Sequence, residues 1–254
     1  MDTRTVRFVT TPGMGLRRRR PAGGKIRRDV NLQQKAEVLA RTELFKGVDE
    51  AARRVIAERV AERIVERGRS VFVQDEPGDR MYVLAEGAVK LYVSSRDGGI
   101  VELARHRPPA VFGELALLDG GSRSASADAV ERSTLLVVTR AELLRLLRSD
   151  ERVAEALLRL LGAIVRRTTR QVTDLVFLDL QGRVARQLLL LAEDGIGSGA
   201  ITRQVTQGEL ATMVGGARQT VNQALRSLEA RGFIRTTGGA FEVLDHDQLQ
   251  RLAE

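Results

Sequence analysis

Seven short segments, 62–67, 70–74, 81–85, 88–95, 99–105, 124–130 and 133–138, are rich in Val, Leu, Ile and Tyr. Turn-forming residues separate them at Gly68, Pro77-Gly78, Gly87, Asp97-Gly98-Gly99 and Gly120-Gly121. Short strands at regular spacing, with glycine or proline supplying the turns, predict an all-β sandwich or barrel over this stretch. The flanks are helical. Leu32 to about Val60 has helical periodicity, interrupted near Thr42–Asp49. Thr139 and Glu142 stand at capping-box spacing and predict a helix start. A long helix is expected from about Asp150 to Phe177. There Leu157, Leu161, Ile164, Thr168, Val172 and Leu175 recur at four- and three-residue steps, a seam suited to pairing with a second copy or to packing on the chain's own β-domain. Asp179 is expected to cap a further helix to about Glu193, Gly195 to Gly199 reads as a turn, and a domain boundary falls near residue 179.

The C-terminal part reads as a helix-turn-helix. Thr206 and Glu209 form a second capping box, opening a helix over Gln207–Val214. Gly215-Gly216 permits a tight turn, and a second helix runs from about Ala217 to Ala230. Ala211, Gly215, Val221 and Leu225 fall where two crossing helices need small or apolar contacts. Arg218, Gln219, Asn222, Gln223 and Arg226 take the opposite face, where arginine can pair with guanine and Asn or Gln with adenine. Thr206, Gln207, Ala217 and Thr220 complete the candidate DNA-contacting set. Gly232–Val243 offers two short strands, a wing, around Thr237-Gly238-Gly239.

Charge adds less than the net +8 suggests. Residues 1–28 hold nine Lys or Arg against one acid, Asp2, which accounts for the whole excess. Residues 1–29 lack periodicity and read as a disordered basic arm, with Met14 an alternative start and phosphate contact an alternative use. Residues 182–254 carry eight arginines and eight acids, so non-specific DNA affinity is expected to be modest. Cysteine is absent, which excludes disulfides, Cys-ligated iron–sulfur clusters and thiol sensing within the chain. His106 and His246 are expected to be ordinary surface or loop residues rather than metal ligands. No run of 18 apolar residues and no secretory leader are present, so a cytoplasmic protein without a membrane contact is expected. No catalytic nucleophile arrangement, metal cluster or mononucleotide P-loop appears, which points to a binding protein rather than an enzyme.

The candidate binding site is Phe112 to Ala127, FGELALLDGGSRSASA. Its Gly113-Glu114 pair and its Arg123-Ser124 pair stand ten residues apart. A carboxylate suits a sugar hydroxyl, and a guanidinium with a hydroxyl beside it suits a phosphate. The segment is therefore a candidate site for a small sugar phosphate.

Four motifs, EPGDRMYVLAEGAVKLY, FGELALLDGGSRSASA, RRTTRQVTDLVFLDLQGRVARQLL and TQGELATMVGGARQTVNQAL, in this order, resemble the cyclic-AMP receptor protein (CRP/FNR) family of bacterial regulators over roughly residues 38–250. The DLVFLDLQGRVARQLL run is most like actinobacterial members. The resemblance implies an α+β chain. A basic arm (1–29) precedes a cyclic-nucleotide-binding β-roll or jelly-roll (30–149), then a dimerisation helix (150–178) and a winged helix-turn-helix domain (179–254). It implies cAMP as effector, with Gly113, Glu114 and Leu115 on the ribose, Arg123 and Ser124 on the cyclic phosphate, and Thr168 on the adenine. Thr169 would reach the adenine from the partner subunit. Implied partners are a second copy, a pseudo-palindromic DNA operator and RNA polymerase. No metal, iron–sulfur cluster or haem is implied. The family's usual S-R-E-T-V is Ala217-Arg218-Gln219-Thr220-Val221 here. Gln219 replaces a carboxylate with an amide better suited to adenine, and Gln223 replaces a frequent basic residue. Other effectors (cGMP, a cyclic dinucleotide, or none) and action through a protein partner are the competing expectations.

Overall fold

The computed structural model describes residues 26–27, 32–95, 98–193, 205–237 and 240–254. Two antiparallel sheets form the N-terminal unit. Its strands are β1 (Ile26–Arg27), β2 (Ala61–Val65), β3 (Ser70–Phe72), β4 (Arg80–Glu86), β5 (Val89–Ser94), β6 (Ile100–His106), β7 (Ala110–Phe112), β8 (Ser126–Ala129) and β9 (Ser133–Thr139). One sheet runs β1-β2-β9-β4-β7 and the other β3-β8-β5-β6.

Burial on β4 and β9 explains their unbroken apolar sequence. A strand sends alternate side chains to opposite faces. Met81, Val83, Leu136 and Val138 join a core under the helices, whereas Tyr82, Leu84, Leu135 and Val137 join a second core between the sheets. Both faces are covered, so both sets must be apolar. The covering helices are α1 (Leu32–Arg41), α2 (Glu50–Arg59), α3 (Glu114–Asp119), α4 (Arg140–Ser149) and the first turns of α5 (Glu151–Phe177). Caps set their starts. Asp49 accepts from Ala52 N at 2.8 Å, and the capping box of Thr139 with Glu142 opens α4 as expected.

Three details depart from the sequence reading. Within the expected arm, Ile26–Arg27 pair with β2, while its other residues lie outside the described ones. Strand β7 is only three residues long, follows Pro108-Pro109, and was absent from the expected set. Part of the 112–127 segment, for which no helix was expected, is the helix α3.

The long helix divides its seam differently from expectation. Leu157 is buried in the helix-covered core and Leu161 packs on it. The apolar stripe left exposed keeps Val172 of the expected seam and otherwise shifts by one position: Leu158 (69% exposed), Val165 (62%), Val172 (54%) and Val176 (67%). Leu158, Val165 and Val172 are seven apart, and Gly162, Thr169 and Val176 stand four residues beyond each, which is the a/d spacing of a coiled coil. Helix α5 thus uses one face for its own β-domain and offers another.

The C-terminal unit contains α6 (Leu180–Glu193), α7 (Gln207–Val214), α8 (Arg218–Ala230), β10 (Ile234–Thr237), β11 (Ala240–Val243) and α9 (His246–Leu252). The Asp179 carboxylate accepts from Gly182 N at 2.7 Å, and Thr206 with Glu209 forms the expected capping box on α7. Gly215 caps α7 with φ +64°. The close contact expected of Gly215 belongs to its neighbour: a Cβ on Gly216 would stand 2.7 Å from Leu180 Cδ1. The turn expected at 195–199 and the Gly238-Gly239 tip of the wing lie outside the described residues.

The two units meet along β6. Gln171 Nε2 on α5 donates to Leu103 O at 2.8 Å. Arg105 donates to both oxygens of Glu102 at 2.8 and 2.9 Å, and to Glu209 of α7 at 3.0 Å. Arg186 on α6 pairs with Asp174 on α5. Among the described residues no helix is long and apolar enough to cross a membrane.

Candidate functional site

The PGD turn after β3 and the SRS segment before β8 clasp each other. Asp75 N donates to Arg123 O at 2.9 Å, Arg123 N to Glu76 O at 2.8 Å, and Pro77 bridges Ser122. This clasp aims the Arg123 side chain inward, where it is only 4% exposed. One terminal nitrogen donates to Gly113 O and the other to Arg80 O, both at 2.7 Å. The guanidinium lies 4.3 Å over the Phe72 ring and 5.9 Å from Tyr82. Its Nε is buried without a partner. Two glycines make room for this group. A Cβ on Gly78 would stand 3.0 Å from Arg123 Nε, and one on Gly113 would stand 2.9 Å from Nη1. Gly113 also takes φ +79° as it leads into α3.

Glu114, at the start of α3, is 6% exposed. Burial pushes its carboxyl above the ordinary carboxylate range, against its backbone hydrogen bond and the charges of Arg167 and Arg123. Burial likewise pulls the Arg123 guanidinium down. Phe72, Tyr82, Phe112 and His106 form an aromatic wall, with Tyr82 and Phe112 centroids 5.4 Å apart and His106 and Phe112 6.1 Å apart. His106 is therefore not the surface or loop residue expected. It ends β6, and burial first, then Arg167, lowers its pKa to about 4.

The structure thus brings Gly113, Glu114 and Arg123 together. Ser124 adjoins them but is exposed, as is Leu115. Thr168 and Thr169 are exposed on α5, and neither hydroxyl bonds the helix backbone, unlike Thr173, which donates to Thr169 O at 3.0 Å. A cleft of about 1250 Å³, bounded by β6, α5, α6 and α7, runs past His106, Arg167 and Thr168. A buried guanidinium with a free donor, an adjacent buried carboxylate and two close glycines fit a sugar phosphate. Sequence reading missed Gly78, the aromatic wall and Arg167. Gly78 was legible only as a turn, and Arg167 is one of three arginines in the five residues 166–170 of α5 whose individual directions no periodicity resolves.

The second site is α8. Val221, Ala224, Leu225 and Leu228 are buried against the domain core, whereas Ala217, Arg218, Gln219, Thr220, Gln223 and Arg226 are exposed. Arg218, Gln219, Gln223 and Arg226 make no side-chain hydrogen bond or ion pair with any described residue. Asn222 is half-buried, and its Oδ1 is unpartnered. Gln207 is exposed, but the Thr206 hydroxyl is engaged by Glu209 at 2.9 Å within the cap. The result is a polar, unengaged helix face beside a two-stranded wing.

Comparison with known proteins finds a domain family over each of the two regions. Residues 62–150 match the cyclic nucleotide-binding domain family, and residues 182–252 the Crp-like helix-turn-helix domain family. The chain is 36% identical to a CRP-like cAMP-activated global transcriptional regulator of Mycobacterium tuberculosis, over 85% of this chain and 99% of that protein. It is also 36% identical to the cyclic AMP receptor protein of Thermus thermophilus, over 75% of this chain and 87% of that one. The solved structure of the c-di-GMP responsive global regulator CLP of Xanthomonas campestris shares the fold, with TM-score 0.69 and 22% identity over 77% of this chain and 99% of that one. With a cyclic nucleotide-binding β-domain, a long helix and a DNA-reading domain in one polypeptide, this chain belongs to the CRP family of transcriptional regulators and is similar to its actinobacterial members.

Proposed function

We propose that this chain is a homodimeric regulator whose affinity for a pseudo-palindromic DNA operator is switched by cAMP, with RNA polymerase its partner at promoters. The proposed division is a β-roll over 30–149, a dimer helix over 150–178 and a DNA-reading domain over 179–254. The observation that carries the effector reading is the buried Arg123 Nε, free of partners beside Glu114 and cradled by Gly78 and Gly113. Arg123 and Ser124 would donate to the cyclic phosphate, Glu114 would accept from the ribose hydroxyl, and Gly113 and Leu115 would line the sugar. Thr168 of one copy and Thr169 of the other would hydrogen-bond the adenine. Their free hydroxyls beside the exposed a/d stripe support this reading.

Helix α5 then connects input to output. Ligand contacts on Thr168 and Thr169 would favour one pairing of two α5 helices. That pairing sets the separation of the two α8 helices, which must be about 34 Å to enter successive major grooves. The ligand shifts the equilibrium only by its difference in affinity for the two states, about 1–3 kcal/mol in typical couplings. Calorimetry with cAMP, cGMP and c-di-GMP, paired with operator selection in the presence and absence of each, tests the reading. Tight binding of cAMP alone, with enhanced operator capture, is expected. Arg123→Ala is expected to abolish both effects. It is also expected to lower stability by about 1–3 kcal/mol, because the carbonyls of Gly113 and Arg80 each lose a buried donor. Normal cAMP binding by that variant would defeat the pocket assignment.

A further inference from the structure

Arg167 is an unexplained charge. It lies four residues before Gln171, so both project from the same face of α5, and Gln171 is tied to Leu103 on β6. Arg167 accordingly lies against the end of β6, in the cleft it shares with His106 and Thr168. It makes no hydrogen bond and no ion pair with any described residue, and its Nε is buried. Arg170 adds a like charge nearby, while Glu114 is the opposite charge acting on it. An isolated guanidinium partly removed from water, without an acceptor, destabilises the fold that holds it. A merely structural residue at this point would be neutral or paired.

The charges of Arg123 and Arg167 both reach the Glu114 carboxylate. Each has a buried Nε without a partner. We propose that Arg167 is a second ligand-binding guanidinium of the β-domain site, donating with Arg123 to the sugar–phosphate oxygens of the bound cyclic nucleotide. The assignment rests on the cyclic-nucleotide reading above and adds to it a charged contact from α5 itself. Ligand charge would then be felt directly by the helix that carries the exposed a/d stripe, and not only through the two threonines.

The test uses the full-length chain and two variants, Arg167→Gln and Arg167→Lys, titrated with cAMP by calorimetry at 50 and 500 mM salt, with thermal unfolding of each ligand-free protein. The expected results are at least tenfold weaker binding by R167Q at low salt, substantial recovery in R167K, and a smaller penalty at high salt because the missing contact is between charges. The ligand-free R167Q protein should unfold at the same temperature as the unaltered chain or higher, since an unpaired charge has been removed. Binding by R167Q within twofold of the unaltered chain overturns the assignment. So does a marked drop in its ligand-free unfolding temperature, which would make Arg167 a structural residue. Failure of the unaltered chain to bind cAMP, cGMP or c-di-GMP would instead overturn the effector reading, and this assignment with it.

Discussion

His106 illustrates how far a single residue depends on its neighbours. Burial in the stack with Phe112, and secondarily the charge of Arg167, lowers its pKa from 6.5 to about 4. Between those values the unfolded chain takes up a proton that the folded chain does not, so stability is complete above about pH 6.5 and falls as the pH drops toward 4. The loss should approach about 3 kcal/mol at the acid end. In His106→Phe, which keeps the stack, urea unfolding between pH 7 and 4 should show a correspondingly shallower decline. Equal pH slopes in the two proteins would remove His106 as the cause. Nothing in the sequence around His106 announces this: Phe112 is only six residues on, but the two end strands of different sheets, and only the packing of those sheets stacks their rings. Glu114 and Arg123 were legible, since their residue types and spacing already suited a sugar phosphate. Gly78 was not, because its role is to leave space for an arginine forty-five residues away.

Helix α5 shows the same contrast at the level of an element. Its length, its start near Asp150 and its end before Asp179 follow from apolar periodicity and caps that are local in sequence. Which apolar positions face inward is not local. Leu157 and Leu161 were expected in one seam with Val172 and Leu175, yet the first pair packs under β4 and β9 while the second pair is exposed. The unpartnered stripe runs through Leu158, Val165, Val172 and Val176. A charge there should break the proposed dimer and spare the fold. Val172→Asp is expected to sediment as a monomer with an unchanged far-ultraviolet circular dichroism spectrum and with operator binding weakened at least tenfold. A dimer surviving that substitution would move the interface elsewhere. The helix-turn-helix was read more completely because its constraints are short-range: a capping box, a left-handed glycine and an apolar face at helical spacing.

Across the whole molecule, one arginine joins effector and DNA-reading units. Arg105 on β6 is gripped by Glu102, whose side chain is 4% exposed, and also holds Glu209, the residue that caps α7. Burial alone would lower the Arg105 pKa; the hydrogen bonds and charges of Glu102 and Glu209 outweigh it and raise it. Removing the guanidinium leaves a buried carboxylate, so Arg105→Ala should cost about 3–5 kcal/mol, read by denaturant unfolding. Hydrogen exchange should quicken at the first turn of α7, which loses one anchor. Unchanged exchange there would mean that the contact does not hold the two units together. The sequence by itself determined the inventory: short strands, capped helices, a sugar-phosphate pair of motifs and a DNA-reading element, in their order along the chain. Each is written in residue types and spacings within a few turns or one hairpin, the range over which backbone preference and apolar periodicity act. Tertiary structure alone decided which face of α5 stays free, that Arg167 points unpaired into the cleft, that His106 is held neutral, and that β6 meets α7. Those outcomes depend on burial and on charges brought together from distant segments, and the free energy of burying or pairing a group exists only once its neighbours surround it.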